Sequence, residues 1–293
     1  MPRATRFGAP GAVDPGAPAM TDTSALPSSP PPPPTGKNPT SLWRTLLYIL
    51  IPVVGLLLLI AAFVFALWGR SGPVDQSVDL APGTSLSVKL PNAAIILEPS
   101  ADDEVHVRMT GSYFGNEPTL SARTDGGVTE VRGGCRAQLF SRCSVTVTVQ
   151  LPKALPVTAA GENGRIAASG LTGRVTLTTT NGAVETDGTV GPVDLQSTNG
   201  NIRVTDAVSK TVSTSTTNGS VALQFIDAPE TIDAGSTNGE ITVRVPVGGV
   251  TYRITAQTTN GTVTDDTVPS DSTSRRSITA RTTNGSITIE AVR

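Results

Sequence analysis

The stretch Thr178-Thr179-Thr180-Asn181-Gly182 reads TTTNG, and STNG, TTNG, STNG, TTNG and TTNG follow it from Ser197, Thr216, Ser236, Thr258 and Thr282. With Asn163-Gly164 upstream, the Asn-Gly pairs fall at Asn163, Asn181, Asn199, Asn218, Asn238, Asn260 and Asn284, at intervals of 18, 18, 19, 20, 22 and 24 residues. A unit of near-constant length with drifting insertions marks a repeat architecture. Six residues before each Asn stand Val157, Val175, Val193, Val212, Ile232, Ile254 and Ile278, all β-branched and apolar. Three residues after it stand Ile166, Val184, Ile202, Val221, Ile241, Val263 and Ile287. Four before, the side chain is Ala or Leu except at Thr214; five before, it is always polar. That is a period of two, so each unit is strand, Asn-Gly corner, strand and variable loop, with one face of each strand buried. Thr180, Thr198, Thr217, Thr237, Thr259 and Thr283 sit immediately before their asparagines, and β-branched Thr suits a strand.

Two architectures fit. Asn-Gly forms type I′ hairpin turns, because both residues tolerate positive φ. Alternatively the chain winds as a β-solenoid, one unit per coil, with equivalent residues about 4.8 Å apart on neighbouring coils. The sameness of the columns favours the solenoid. Independent hairpins give no reason for Asn to meet Asn, whereas stacked coils let side-chain amides hydrogen-bond in a ladder, Thr hydroxyls likewise, and Val and Ile interlock inside. The expected fold is therefore all-β: seven repeats over 157–293, preceded by an irregular capping part of the β domain at 80–156. In that part, Leu86 to Leu97 repeats the spacing around Asn92, and Cys143 to Leu151 alternates with Val145, Val147, Val149 and Leu151 on one face.

The rest of the chain divides by composition. Residues 1–42 hold Pro30 to Pro34 in a row and almost no large apolar side chains, which predicts a disordered Pro-rich tail. A flexible spacer is the main reading and docking into an SH3-like groove the alternative; Met20 offers a second start. Leu46 to Trp68 is 23 residues without a charge, long enough at about 1.5 Å per residue to cross a hydrocarbon layer of roughly 30 Å. Trp43, Tyr48 and Trp68 near its ends suit the headgroup regions, and Pro52 is tolerable as a kink. A cleaved signal peptide is the alternative, but its apolar core is usually only about 7–15 residues. The segment 43–69 is therefore expected to be a membrane helix, bound to membrane lipid, and 70–79 a linker.

Lys37 and Arg44 precede the span and only Arg70 follows it closely, which places the N-terminus in the cytoplasm. The two cysteines, Cys135 and Cys143, lie eight apart in a strand-rich region; this suits a disulfide in an oxidising compartment, with a reduced buried pair as the alternative. A loop so short, once closed, stabilises by about 2–3 kcal/mol on the chain-entropy estimate. Both features put the β domain outside the cytoplasm.

Residues 145–184, VTVTVQLPKALPVTAAGENGRIAASGLTGRVTLTTTNGAV, and the TTNG units after them resemble the bacterial putative-adhesin β-strand-repeat family, over about 210 residues. Members often follow one membrane helix and run through a valine-rich strand ending in Leu-Pro into short repeats. The resemblance implies an envelope-exposed β-solenoid, with some relatives acting near envelope-stress systems, and it brings no catalytic residues.

Composition narrows the chemistry. The single histidine, His106, removes most Ser-His-Asp and Cys-His arrangements and any multi-histidine zinc site. A net charge of -2 with scattered signs gives no basic footprint for nucleic acid. Asp206, Asp227, Glu230 and Asp233 form the nearest approach to an acidic group, read as solvated loop residues rather than polysaccharide-cleaving carboxylates. Asn218, Asn260 and Asn284 form N-x-S/T sequons that the repeat itself explains, and Arg275 and Arg276 occupy the longest loop. The expectation is a non-enzymatic module for adhesion or envelope interaction, without cofactor or metal, whose partner is envelope polysaccharide or surface protein. An envelope-stress signalling partner and a polysaccharide-active enzyme are the alternatives.

Overall fold

The computed structural model describes residues 40–68, 71–136 and 142–292. The Pro-rich run, Met20, Lys37 and Arg70 lie outside the described residues, so the expected tail is known here only by its last residues. Thr40–Trp68 is one α-helix with Pro52 inside it, starting three residues earlier than the tail boundary at 42 implied. Within it Trp43–Phe65 has a mean hydropathy of 2.9 and exposed side chains, so it is long and apolar enough to cross a membrane.

Among the described residues the β region is a flattened solenoid of two sheets, one of eleven strands and one of ten. Each coil takes one strand in the ten-stranded sheet, turns at its Asn-Gly corner, and returns in the other sheet. The Asn181 coil, for example, is Val175–Asn181 followed by Val184–Asp187, and the Asn199 coil is Val193–Asn199 followed by Ile202–Ala207. Neighbouring coils pair in parallel with like on like: Val175 with Val193, Leu177 with Leu195, Asn181 with Asn199. The solenoid, not the hairpin array, is the fold.

The repeat rows are the core. Val157, Val175, Val193, Val212, Ile232 and Ile278 face Ile166, Val184, Ile202, Val221, Ile241 and Ile287, all essentially inaccessible. Burying such a side chain contributes roughly 1.5–3 kcal/mol, and with aromatics at only 4% the aliphatic rows supply most of that burial.

The glycine after each Asn answers a demand for space. A Cβ on Gly182, Gly200, Gly219 or Gly239 would fall far inside contact distance of the glycine carbonyl one coil below. Positive φ, the property that would have suited a type I′ turn, is absent from these four positions. The corner therefore has fixed length, and insertions collect at the opposite side, as in 208–210, 226–230, 247–252 and 265–276.

Stacking order departs from chain order at both ends. The coil Ser277–Asn284 and Ile287–Val292, last in sequence, lies between the Asn238 coil and the Asn260 coil. At the other end, the Asn92 coil (Ser85–Lys89 and Ala94–Pro99) lies between the Asn163 coil and a coil built from Val128–Gly134 and Arg142–Leu151. The coils are thus not stacked in strict chain order, and the reason is loop reach. The two widest intervals, 22 and 24 residues, are those flanking the Asn260 unit, where the chain skips one level and then comes back.

Antiparallel strands close the N-terminal end. Ser71–Leu80 pairs with Val105–Phe114, which pairs with Arg142–Leu151, while Thr119–Asp125 pairs with Val128–Gly134. The segment 70–79 is therefore no linker from Ser71 onward. Its alternation is weak because Gln76 occupies the inward row between Val74 and Val78, but backbone pairing along all ten residues of Ser71–Leu80 compensates.

Candidate functional site

The asparagines form one continuous hydrogen-bonded column. Asn163 donates from Nδ2 to Oδ1 of Asn92 at 2.8 Å, Asn181 to Asn163 at 2.9 Å, and Asn199 to Asn181 at 2.9 Å. Asn218 donates to Asn199 at 2.8 Å and Asn238 to Asn218 at 2.9 Å. The ladder then follows spatial order: Asn284 donates to Asn238 at 2.7 Å, and Asn260 to Asn284 at 2.7 Å. At its base, Asn92 Nδ2 donates to the carbonyl of Cys135 at 3.1 Å. Cys135 is disulfide-bonded to Cys143 with Cα atoms 5.9 Å apart, so the ladder starts on a covalently closed loop. Every amide points the same way, and a chain of aligned dipoles polarises its members cooperatively.

A second column was missed in the sequence. The hydroxyls that bind the stack are two residues before Asn, not one. Ser197 donates to the Gly182 carbonyl at 3.0 Å, Thr216 to Gly200 at 2.9 Å, Ser236 to Gly219 at 2.9 Å and Thr282 to Gly239 at 3.0 Å. The signal was the Ser-or-Thr choice at this position, which needs only a hydroxyl. Thr180, Thr198, Thr217, Thr237, Thr259 and Thr283 instead stand exposed on the outer face beside the Asn column. Thr214, the polar exception in the Ala/Leu row, is buried with an unpartnered hydroxyl.

The other candidates separate. Asp233 lies on the strand Thr231–Asn238 and Asp206 on Ile202–Ala207 in the opposite sheet, while Glu230 pairs with Lys210 at 3.5 Å. The four acidic residues therefore form no shared centre. Arg276 is a clasp: its Nη1 donates to the carbonyls of Ala228 at 2.6 Å and Pro229 at 2.8 Å. In the sequons, Asn218, Asn260 and Asn284 all use Nδ2 as ladder donor, so a glycan there would take one of the two hydrogens on the donor nitrogen.

On the cap, His106 bridges two carboxylates, with Nδ1 2.8 Å from Asp79 and Nε2 2.9 Å from Asp102. Its hydrogen bond to Asp102, then that to Asp79, pushes its pKa up to about 9, and the same bond holds Asp102 below its ordinary value. Asp102, Glu104 and His106 place ligand atoms within 4.8 Å of one another. An imidazolium that donates both N–H groups has no lone pair for a metal.

Residues 157–293 match the Toastrack DUF4097 family. No curated protein sequence matches the chain. Similar solved structures include a putative cell adhesion protein from Clostridium sporogenes, at 14% identity, TM-score 0.37, covering 75% of this chain and 100% of that one. A putative adhesin from Bacteroides fragilis has 12% identity and TM-score 0.39, covering 75% and 97%. A putative lipid binding protein from Parabacteroides distasonis has 12% identity and TM-score 0.37, covering 77% and 98%.

Two measurements check this geometry. Replacing Asn199 removes two ladder bonds and replacing the terminal Asn260 removes one. At about 0.5–1.5 kcal/mol per bond, and toward the lower end for exposed amides, Asn199→Ala is expected to cost about twice as much stability as Asn260→Ala. Equal losses in denaturant titrations would count against the ladder. His106 should titrate near 9 by ring-proton NMR and fall toward 6.5 in Asp102→Asn. Because the folded value is the raised one, the contribution of His106 is complete below its unfolded value of about 6.5 and disappears as pH rises through about 9. Titration at 6.5 in the unaltered protein would remove the bridge.

Proposed function

We propose that this chain is a single-pass membrane protein with a cytoplasmic N-terminus, which presents a non-catalytic β-repeat module outside the membrane to bind envelope polysaccharide or surface protein. The observation that carries the reading is the exposed double column of Thr and Asn on the outer edge of the ten-stranded sheet. In spatial order Thr180, Thr198, Thr217, Thr237, Thr283 and Thr259 are exposed beside the ladder asparagines, repeating the same neutral hydroxyl and amide groups at a spacing of about 4.8 Å. A polymer with regularly repeated hydroxyls meets such a surface through many weak contacts, and their number multiplies the avidity.

On and beside the eleven-stranded sheet, charged side chains pair with one another. Arg165 pairs with Glu185, Arg108 with Asp75 at 2.8 Å, and Arg244 with Glu290 at 3.2 Å. Exposed pairs like these contribute little stability. The apolar helix Thr40–Trp68, with Arg44 on its N-terminal side, supports the anchor and its orientation.

The test uses the full chain reconstituted in lipid vesicles and incubated with intact bacterial cells and with purified envelope polysaccharide. Saturable retention is expected, reduced at least several-fold when Thr198, Thr217 and Thr237 are changed together to Ala while the circular dichroism stays the same. Retention unaffected by that triple change, no retention on either probe, or release of shortened sugar chains would each overturn the reading.

A further inference from the structure

The two ends of the stack are finished differently. At the N-terminal end the edge strands are Ser71–Leu80 in one sheet and Thr119–Asp125 in the other. The first carries Pro73, Asp75 and Asp79, and the second follows Pro118 and carries Arg123 and Asp125. Proline and charge are the usual means of keeping an edge from pairing with another chain. At the far end the edge strand is Arg253–Asn260, RITAQTTN, with no proline, no acid and one charge at its start.

The core is also left open there. Ile278 and Ala280 in the adjacent coil are wholly inaccessible, whereas their equivalents Ile254 and Ala256 are only partly covered, and Val263 is 40% exposed where Ile287 is 0%. The loop after Val263–Thr264 shields one corner only. Ser270 bridges to Tyr252, with Tyr252 N–H donating to the Pro269 carbonyl at 3.0 Å and Asp271 N–H donating to the Tyr252 carbonyl at 2.9 Å. From Arg253 onward the outer side of the strand has no partner strand among the described residues.

We propose that two copies of this chain join through this edge, strand Arg253–Asn260 pairing antiparallel with its counterpart about a two-fold axis at Gln257. The axis follows from the sequence of the open run. Centred on Gln257, Ile254–Asn260 lies opposite itself, with Thr255 facing Thr259 on the outside, Ala256 facing Thr258 on the inside, and the two Gln257 amides meeting each other. Like charges are absent from every pair, and cross-strand Thr pairs are favourable. This register also stops short of Tyr252, leaving its bridge to Ser270 in place. A head-to-tail filament is blocked because the same sheet ends at its other edge in Thr119–Asp125, which follows Pro118 and carries Arg123 and Asp125, and the other sheet ends in Ser71–Leu80 with Pro73, Asp75 and Asp79, so the interface is isologous and closes at two copies. The contact extends one sheet across both molecules and covers Ile254 and Ala256 of each.

This partner is one the polysaccharide-or-protein reading leaves open, and the association does not depend on that reading. The test takes the full chain in detergent micelles and measures the molar mass of the protein component by light scattering as concentration rises. A dimer is expected. Gln257→Lys and Gln257→Glu each put like charges on the axis at an exposed position and should weaken association at least tenfold, while an equimolar mixture of the two should associate again. Gln257→Cys should give a covalent dimer without reductant, and Gln196→Cys, at the equivalent place in an interior coil, should not. A monomer at every concentration would overturn the proposal, as would a dimer indifferent to both charged variants, which is what pairing through the apolar helix would give. Cell or polysaccharide retention by Gln257→Lys would then show separately whether the surface-module reading stands.

Discussion

The structure depends on how closely successive coils approach at the Asn-Gly corner. There the backbone of one coil passes so near the glycine carbonyl of the coil below that no Cβ fits. That approach fixes register, and register decides everything else. With the corners superposed, each Asn amide lies within 2.7–2.9 Å of the next. The Ser or Thr two residues earlier then reaches the same glycine carbonyl, and the Val and Ile rows fall on top of one another. A slip of one residue would turn every apolar row outward.

A stack of identical rungs has the weakness that its ends can go on pairing. The N-terminal end is closed by antiparallel strands, an imidazolium held between Asp79 and Asp102, and a disulfide whose Cys135 carbonyl also receives the first ladder amide. The other end is held by threading: the last coil in sequence sits inside the stack, with the Asn260 coil outside it. Arg276 reinforces that path by tying the returning chain to Ala228 and Pro229. Such long-range pairing must wait for loop closure, so this end is expected to fold late.

The repeat was legible because each position had one demand made of it seven times. Apolar β-branched rows and the Asn column follow from that repetition, as does the alternation that defines strands. Stacking order was not legible, and the reason is the same repetition. Arg253 to Gly261 reads RITAQTTNG and Ser277 to Gly285 reads SITARTTNG, so the first strand of either coil fits on Thr231–Asn238 equally well by its side chains. The second strands and the loop lengths carry the information: Ile287–Val292 matches Ile241–Pro246 over six residues, whereas Val263–Thr264 runs into Asp265 and Asp266. The role of glycine was half legible: two properties, positive φ and a missing Cβ, predict the same residue, and the close approach that selects the second exists only between coils. Ser71–Leu80 read as a linker because its partner, Val105–Phe114, lies far along the chain and its own inward row is interrupted by Gln76. His106 looked isolated because Asp79 is 27 residues away and meets it only across that same strand pair.

The outer strip of Thr and Asn is a by-product of stacking as well as a surface, since the same corners that hold the coils expose their polar edge at a fixed interval. Its value to a binding module lies in that regularity. The measurement that reaches the stacking most directly is the pattern of through-space NMR contacts among the Asn side-chain amides. The account predicts an unbroken series ending Asn218, Asn238, Asn284, Asn260, with Asn284 touching both of its neighbours. A direct contact between Asn238 and Asn260, or amides with no contact to one another, would contradict it.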